Sequence, residues 1–245
     1  MPILDGSNPL AVADAAERLA AGQLVAFATE TVYGLGARAD DDAAVAGIFA
    51  AKGRPADHPL IVHVATLDDA RHFGDLSHPG ACRLAERCWP GPLTLIVPRR
   101  PGVGAVAAGG QSSIGLRVPS HPVALALLRA AAALGVRGVA APSANRFGRV
   151  SPTTAQHVAA EFGTDLCVLD GGPCDVGIES AIVDCTRGTP ALLRPGMLDR
   201  SALASVLGTP LQPAGADAPR ASGTLASHYA DRKSTRLNSS HATLS

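Results

Sequence analysis

The sequence predicts an α/β (α+β) domain built on a mixed β-sheet, and two observations lead to this prediction. Short apolar runs rich in Val, Leu and Ile alternate along the chain with segments whose apolar residues recur at helical spacing. The 245 residues are 47% hydrophobic and only 3% aromatic, which is typical of a globular protein with an aliphatic core. No run approaches about 18 consecutive apolar residues, so no membrane-spanning helix is predicted.

The predicted elements follow one another without an internal repeat. Helices are predicted from Asn8 or Ser7 to Ala21, from Asp40 or Asp41 to Lys52, and over residues 79–89, 122–134 and 153–162. Strands are predicted over residues 24–29, 60–64, 92–98, 113–118, 138–144, 166–170, 180–185 and 191–196. The helix starts rest on capping side chains, which accept hydrogen bonds from the free amides of a first turn, and on prolines that fit that turn. Residues 98–111 are rich in Gly and Pro and are expected to form a mobile loop.

The C-terminal end differs from the rest of the chain. Residues 1–207 are predicted to form the folded domain, and residues 208–230 read as a Pro/Ala/Gly linker. Residues 231–245 are polar and lack hydrophobic periodicity, and residues 231–241 match one reading frame of a sequencing-adapter string. We therefore interpret this tail as a translated artefact, with an ordinary disordered terminus as the alternative. We expect the natural C-terminus to be missing.

Charge and cysteine content exclude several classes of protein. The chain carries 21 basic and 21 acidic residues; without the tail, 18 basic and 20 acidic residues give a net charge of −2. A general nucleic-acid coat protein would need a strong basic excess. The five cysteines form no CxxC pair and no signal peptide is visible, so we expect free thiols in a reducing cytoplasm and no zinc site.

The first polar cluster is TETVYGLGARA, residues 29–39. Gly34, Gly36 and Ala39 superficially match a dinucleotide-binding fingerprint, but Thr29 to Tyr33 separate the strand from the glycines by more than the tight turn allows. Two interpretations remain: a glycine loop that serves backbone geometry alone, and a loop that turns Thr29, Thr31 and Tyr33 toward a ligand.

The second cluster, AKGRPADHPLIVHV, contains the only lysine before the tail. Lys52 and Arg54 could simply be cations that stabilise a helix C-terminus. A compact ammonium beside a guanidinium fork also suits a triphosphate, which needs point and bidentate partners. His63 lies within an apolar strand, where a lone histidine is more often a core residue than a ligand-binding one.

Three later clusters also place polar groups at strand ends. Arg117 interrupts a buried strand and must pair with a carboxylate, either from the protein or from a ligand. The segment APSANRFGRVSPT can be read as a turn followed by a helix that is capped by Ser151 with Pro152 at its first position. Glu179 and Ser180 precede another strand, and Arg194 ends the next one.

Taken together, these segments resemble the YrdC-like family of threonylcarbamoyladenylate synthases. The motifs TETVYGLG, KGRP-x-x-HPLIVHV, SIGLRVPSHP, APSANRFGRVSPT, ESAIVD and LLRPG occur in the family's order over about residues 10–230. The resemblance implies a twisted mixed β-sheet with flanking helices and a concave ligand cavity. It makes residues 1–207 the catalytic domain and residues 208–230 a lid that leads toward a second domain.

The resemblance also implies a reaction and the residues that serve it. Threonine and bicarbonate or CO2 form a carbamate, which attacks the α-phosphorus of ATP to give threonylcarbamoyl-AMP and pyrophosphate. Threonine is expected at Thr31, His63, Arg117, Ala141 and Ser180. ATP is expected at Arg54, His58, Ser113, Ser143, Asn145, Ser151, Arg194 and Tyr229. Lys52 and Arg54 are expected to stabilise the leaving pyrophosphate. His58 stands where many family members have asparagine.

The implied partners follow from that chemistry. Mg²⁺ would arrive with ATP, and no tightly bound protein metal site is predicted. A partner transferase complex would place the threonylcarbamoyl group on the adenosine next to the tRNA anticodon, and tRNA itself is a further candidate partner. Two alternatives stay open: a non-catalytic module that binds double-stranded RNA, and a domain that forms carbamoyl-AMP.

Overall fold

A single mixed sheet of eleven strands organises residues 3–163 and 165–223, the part of the chain that this computed structural model describes. The strands are β1 (Ile3–Asp5), β2 (Val25–Phe27), β3 (Gly34–Arg38), β4 (Ile61–His63), β5 (Leu93–Pro98), β6 (Ser113–Arg117), β7 (Val139–Ala140), β8 (Cys167–Asp170), β9 (Ala181–Asp184), β10 (Ala191–Arg194) and β11 (Gln212–Pro213). Their order across the sheet is β1-β8-β2-β3-β7-β4-β6-β5-β9-β10-β11. The predicted mixed sheet is confirmed.

Seven helices flank the sheet within the described residues. They are α1 (Pro9–Ala20), α2 (Asp42–Lys52), α3 (Leu67–Phe73), α4 (Pro79–Cys88), α5 (Pro122–Ala133), α6 (Ala155–Phe162) and α7 (Arg200–Leu207). Asn8 and Asp41 cap α1 and α2 as predicted, because each side chain accepts hydrogen bonds from amides of the first turn. Gly53 ends α2 with φ of 63°, a left-handed conformation that glycine adopts without steric cost, and so fixes Lys52 in the last turn.

Two apolar layers enclose the sheet. Side chains alternate across β2: Val25 and Phe27 pack with α1 and α5, whereas Ala26 belongs to the larger cluster on the other face. That larger cluster joins α2, α3, α4, α6 and α7 to the central strands. None of the helices in the described ranges is long and apolar enough to span a membrane.

The strand pairing brings the predicted site residues to neighbouring positions. The parallel strands β4 and β6 pair His63 with Arg117, so these two side chains leave adjacent strands on the same face. An isolated bridge joins Gly34 to Ser143 across the sheet. The parallel pair β5 and β9 aligns Thr94 with Ile182, which brings Thr94 close to the start of β9.

The glycine cluster is not a loop. Residues 34–38 form strand β3, and the sequence did not predict this strand because its two glycines weaken the apolar pattern. A Cβ atom added at Gly36 would lie 2.7 Å from Val139 Cγ1 and 2.9 Å from Phe27 Cε1. The glycine is therefore required by close packing.

Other boundaries differ from the sequence prediction. Helix α6 begins at Ala155 with Thr154 as its cap, so the assignment of Ser151 as cap and Pro152 as first residue is wrong. The helices α3 and α7 and the short strands β1 and β11 were not predicted, since each offers too few residues for a clear period. In the segment 98–111, predicted as a mobile loop, Ala107 is fully buried and accepts a hydrogen bond from Leu60 N.

The first part of the predicted linker lies against the domain. Strand β11 pairs in parallel with β10, and Ala221 is buried in a small apolar cluster with Ile61, Ile96 and Ile182. Arg220 forms an ion pair with Asp57 at 3.1 Å. Residues 224–245, which include the rest of the linker and the tail, lie outside the described residues, so the predicted division into 1–207, 208–230 and 231–245 stays a prediction.

Candidate active site

One pocket near the middle of the sheet gathers residues from strands and loops that are far apart in sequence. All five positions expected to hold threonine line it: Thr31, His63, Arg117, Ala141 and Ser180. Ser143 and Arg194, two of the positions expected to hold ATP, line the same pocket. Glu179 and Ser222 complete its charged and polar wall. The sheet order brings these residues together, because β7, β4 and β6 lie side by side in the sheet although they are separated along the chain.

Arg117 pairs with a protein carboxylate. Its Nη2 lies 2.7 Å from Glu30 Oε1, and both side chains are buried. Its Nη1 donates to Thr31 Oγ1 at 2.9 Å and its Nε to Gly91 O at 3.3 Å. Burial, the largest single effect, would raise the pKa of Glu30, but the charge of Arg117 and hydrogen bonds to the carboxylate together outweigh it and hold that pKa below its usual range. The sequence left open whether the partner is a protein or a ligand carboxylate; Glu30 was not identified.

The geometry of this ion pair leaves Arg117 with a free donor. Among the described residues Nη2 meets only Glu30 Oε1, and Nη2 carries two N–H groups. Charge pairing therefore holds the guanidinium in place while one N–H group stays available. A ligand carboxylate in the pocket could accept from it.

His63 is a neutral polar group on the pocket wall. Burial, and then the nearby positive charge of Arg117, lower the pKa of His63 to about 3. Its ring meets Phe27 edge to face with centroids 6.1 Å apart, which fixes its orientation. Among the described residues Nδ1 has no hydrogen-bond partner. The side chain is thus both packed in the core, as its position in an apolar strand suggested, and able to bind a polar ligand group.

Ser180 and Arg194 form another part of the pocket wall. Arg194 donates from Nε to Ser180 O at 3.0 Å and from Nη2 to Ser180 Oγ at 3.2 Å. The Ser180 hydroxyl also shares a 2.8 Å hydrogen bond with Thr94. Arg194 Nη1 pairs with Glu179 Oε2 and donates to Ser222 O at 2.8 Å. Residue 222 of the predicted linker therefore contacts the pocket directly.

A second group of cations lies behind Ser143. Lys52 donates from Nζ to the carbonyls of Ser143, at 2.5 Å, and Asn145. Burial, and then the nearby Arg54, lower the pKa of Lys52 to about 7. Arg54 donates to Pro59 O at 3.1 Å, and burial lowers its pKa to about 10. We call Lys52 and Arg54 the basic corner.

The Asn145 side chain closes the turn beside this corner. Its Nδ2 donates to the carbonyls of Arg146 and Arg149, each at 2.8 Å, while Oδ1 has no hydrogen-bond partner in the described residues. The segment APSANRFGR is thus stabilised by hydrogen bonds from Lys52, which lies outside it, and from Asn145, which belongs to it. The segment forms a turn, as predicted.

The remaining ATP positions do not line the central pocket. Ser151 lies in an adjoining groove that shares Glu179 and Arg194 with the pocket, and its hydroxyl donates to Glu179 Oε1 at 3.2 Å. Ser113 lines a third depression, which shares Ser222 with the pocket. His58 packs edge to face against Phe147, with ring centroids 5.6 Å apart. Tyr229 lies outside the described residues.

Tyr33 does not face a ligand. Its side chain is fully buried, and its hydroxyl donates to Asp170 Oδ1 or to Gly172 O, each 2.8 Å away. Thr29 and Thr31 do line the pocket, with their hydroxyl oxygens 2.9 Å apart. The two threonines thus line the pocket, as the ligand-facing interpretation requires, whereas Tyr33 points into the core. Residues 30–32 form bends, so the alternation of a regular strand, which would place Thr29, Thr31 and Tyr33 on one side, does not hold across this segment.

Sequence reasoning missed several groups. Thr94 and Ser222 gave no signal, since one lies inside an apolar strand and the other in a linker-like segment. Within residues 3–163 and 165–223, no group of three or more His, Cys, Asp or Glu side chains could hold a metal ion. The five cysteines are unpaired thiols.

Comparison with known proteins gives consistent matches. The Sua5/YciO/YrdC family model, whose description reads telomere recombination, matches residues 17–196. The chain is 46% identical over 215 residues to the threonylcarbamoyl-AMP synthase of Pyrococcus abyssi (strain GE5 / Orsay), covering 85% of this chain and 62% of that protein. It is 44% identical over 207 residues to the threonylcarbamoyl-AMP synthase of Bacillus subtilis (strain 168), covering 82% and 58%. The chain thus spans about three fifths of the length of these relatives.

Solved structures share the fold. The crystal structure of P. abyssi Sua5 complexed with L-threonine matches with a TM-score of 0.82 at 42% identity, covering 89% of this chain and 64% of that one. Full-length HypF in the phosphate- and nucleotide-bound form matches with a TM-score of 0.64 at 17% identity, covering 75% and 28%. The second match reflects the fold alone. Together with the mixed sheet, the first confirms the YrdC-like fold class.

Proposed function

The chain belongs to the Sua5/YciO/YrdC family, and from that premise we propose that it is an L-threonylcarbamoyladenylate synthase. It would convert L-threonine, bicarbonate or CO2, and ATP into threonylcarbamoyl-AMP and pyrophosphate. The observation that carries the proposal is the pocket itself, which gathers all five positions that the resemblance assigns to threonine. Relatives that are 46% and 44% identical carry the name of this activity.

The threonine site is supported by its unused polar groups. Arg117 Nη2, which meets only Glu30, and His63 Nδ1 are both buried on the pocket wall, and the described residues leave hydrogen-bonding capacity unused on each. Such groups are costly to bury unless a ligand satisfies them. Arg117 would donate to the threonine carboxylate, and the neutral His63 would bind a polar group of the amino acid. Glu30 would keep the guanidinium oriented without competing for all of its donors.

The chemical step needs alignment and charge stabilisation from the protein. The threonine amine and bicarbonate yield a carbamate and water, and a carbamate oxygen then bonds to the α-phosphorus as the bond from that phosphorus to the pyrophosphate oxygen breaks. Lys52 and Arg54, with Arg194 and the Ser143 and Ser151 hydroxyls, would bind the phosphates and stabilise the charge that develops on the pyrophosphate. The carbamate is already nucleophilic, so no protein base is assigned.

Mg²⁺ would enter as part of the MgATP substrate. The two carboxylates at the pocket, Glu30 and Glu179, are each paired with an arginine, and neither belongs to a group of three possible ligands in the described residues. The donor set therefore suits a metal carried by the phosphates better than a resident one. When bound, the ion would neutralise phosphate charge.

The biological context is proposed from the same chemistry. The labile mixed anhydride would pass to a transferase complex that modifies the adenosine next to the tRNA anticodon, which implies a cytoplasmic location. Residues 1–207 would form the catalytic domain, and residues 208–230, with Ser222 already at the pocket, would act as its lid. Asn145, His58, Ser113 and Tyr229 remain proposed ATP contacts.

Two other functions have different requirements. A non-catalytic RNA-binding module would bind double-stranded RNA in a salt-dependent way without turning over ATP. A domain that forms carbamoyl-AMP would use carbamoyl phosphate in place of threonine and bicarbonate. The −2 charge of residues 1–230 disfavours the RNA-binding module, and the synthase name of relatives that are 46% and 44% identical favours the synthase over the carbamoyl-AMP domain.

Mass-spectrometric detection of threonylcarbamoyl-AMP tests the proposal. The full chain is incubated with ATP, Mg²⁺, threonine and isotope-labelled bicarbonate, and parallel reactions omit threonine or bicarbonate or supply carbamoyl phosphate. A labelled product that needs both threonine and bicarbonate is expected. Product from carbamoyl phosphate alone would favour the carbamoyl-AMP alternative, and no product from a folded sample that shifts RNA would favour the binding module.

A further inference from the structure

A carboxylate occupies the point where the central pocket meets its adjoining groove. Glu179 lines both, two residues before strand β9 begins, and its side chain is 20% exposed. Its Oε2 pairs with Arg194 Nη1, and its Oε1 accepts from Ser151 Oγ at 3.2 Å. Arg194 and Ser151 are both proposed ATP contacts. A negative charge thus holds the two groups that are expected to meet phosphate oxygens.

Glu179 is not needed to keep Arg194 in place. Three other hydrogen bonds anchor that guanidinium, to Ser180 O at 3.0 Å, to Ser180 Oγ at 3.2 Å and to Ser222 O at 2.8 Å. A purely structural ion pair would be redundant here. The negative charge of Glu179 therefore matters more than its contact with Arg194.

That charge acts on the whole cation cluster. Glu179 raises the pKa of Lys52 and of Arg54, opposing the larger effect of burial on both. Without the carboxylate, Lys52, Arg54 and Arg194 would repel one another more strongly, and Lys52 would keep only the weaker effect of Glu161. With a polyphosphate bound, the same carboxylate would face like charge at short range.

We propose that Glu179 is a built-in counter-ion of the phosphate site, which balances the cations before ATP binds and limits how tightly ATP and pyrophosphate are held. It is not a catalytic residue, since it acts indirectly, through the charge that it places beside Arg194, Ser151 and the basic corner. The inference rests on the proposed function, which places the triphosphate there. Its consequence is faster release of pyrophosphate, since part of the cation charge is already neutralised.

Replacement of the charge at constant shape tests this role. In Glu179→Gln the amide oxygen can still accept a hydrogen bond but the charge is lost. We expect a non-hydrolysable ATP analogue and pyrophosphate to bind roughly tenfold tighter to this variant by calorimetry, with the difference reduced by salt. In steady-state turnover, KM for ATP and kcat should both fall, because pyrophosphate leaves more slowly.

Two matched variants separate charge from structure. Glu179→Asp keeps the charge on a shorter side chain and should retain wild-type analogue affinity. Asp68→Asn removes the carboxylate of an exposed ion pair with Arg71 and should change neither KM nor kcat. Thermal melting of each variant checks the fold.

The outcomes distinguish this inference from the proposed function. If the analogue binds the wild type but binds Glu179→Gln with equal or lower affinity, the counter-ion role is overturned. Loss of affinity only in the presence of Mg²⁺ would instead make Glu179 a metal-contacting residue, and would also overturn it. If the analogue fails to bind the wild type, the proposed ATP site fails and the inference falls with it.

Discussion

The site stabilises its positive charges in two different ways. Arg117 and Arg194, which both line the pocket, each pair with a glutamate, Glu30 and Glu179 respectively. The basic corner, Lys52 and Arg54, makes its hydrogen bonds to backbone carbonyls, and within the described residues neither side chain has a carboxylate within ion-pair distance.

This difference decides where a polyanion is favoured. A paired arginine adds little net charge, so Arg117 suits the carboxylate of a small zwitterion such as an amino acid, and Arg194 contributes less net charge to the phosphate site than the basic corner does. The basic corner keeps a net positive charge that burial makes costly, as the lowered pKa values of Lys52 and Arg54 indicate. A bound phosphate would relieve that cost, so the corner gains more from a polyanion than the wall does.

The largest expected effect is on the wall, in Arg117→Ala. The substitution leaves Glu30 buried and unpaired, and the free energy of unfolding should fall by roughly 3–5 kcal/mol in denaturant titrations. Product formation should fall at least about a hundredfold, since the proposed carboxylate clamp is lost.

A double variant separates these two effects. Arg117→Met combined with Glu30→Gln removes both charges and should recover most of the lost stability, because no isolated charge remains. It should not recover product formation. A double variant as unstable as the single one would contradict the view that Arg117 and Glu30 stabilise each other.

Removal of the Lys52 charge from the basic corner is expected to weaken the use of ATP and to leave threonine binding unchanged. Lys52→Met keeps side-chain length and removes the charge, so kcat/KM for ATP should fall by roughly a hundredfold. Threonine affinity, measured by calorimetry, should stay within about threefold of wild type. An equal loss of threonine and ATP affinity would mean that Lys52 acts only by holding the carbonyls of Ser143 and Asn145.

The same lysine predicts a pH dependence. Its pKa is about 7 in the folded protein, so above pH 7 phosphate binding must take up a proton, and the affinity for an ATP analogue should weaken by up to about tenfold per pH unit. Calorimetry in buffers of different ionisation enthalpy would detect the proton, and Lys52→Met should abolish its uptake. A wild-type affinity independent of pH between 7 and 9 would contradict this.

The lowered pKa of Lys52 also affects stability. The unfolded state, with a lysine pKa near 10.5, binds more protons than the folded state between pH 7 and 10.5. The contribution of Lys52 therefore makes the free energy of unfolding rise with pH across that window. Lys52→Met should flatten this part of the stability curve.

The smallest effect is expected outside both regions. Tyr33→Phe removes the hydroxyl that bonds to Asp170 and Gly172, and should lower the free energy of unfolding by about 1–2 kcal/mol. Threonine and ATP kinetics should stay within about twofold of wild type. A selective rise in KM for threonine would return Tyr33 to the ligand site.

Much of the fold and of the site could be predicted from local sequence. The helices α1, α2, α4 and α5 carry clear caps or first-turn prolines, and eight of the eleven strands coincide with apolar runs. Strand β3 was not predicted, because the reason for glycine at position 36 is its close packing against Val139 and Phe27, which no local pattern reveals. Ser151 was misread as a cap because Thr154, three residues later, carries an equally suitable hydroxyl.

The sequence by itself determined the fold class, the family and the set of polar residues at strand ends, because apolar periodicity and motif order are local properties of the chain. Only the tertiary structure decided that Arg117 meets Glu30, that Arg194 meets Glu179 and that Lys52 donates to carbonyls instead of to a carboxylate. These partners come from strands and loops that the sheet order brings together. The pKa of an ionisable side chain, and whether that side chain is free to bind a ligand, depend on such neighbours and on burial. The residues next to it in sequence determine neither property.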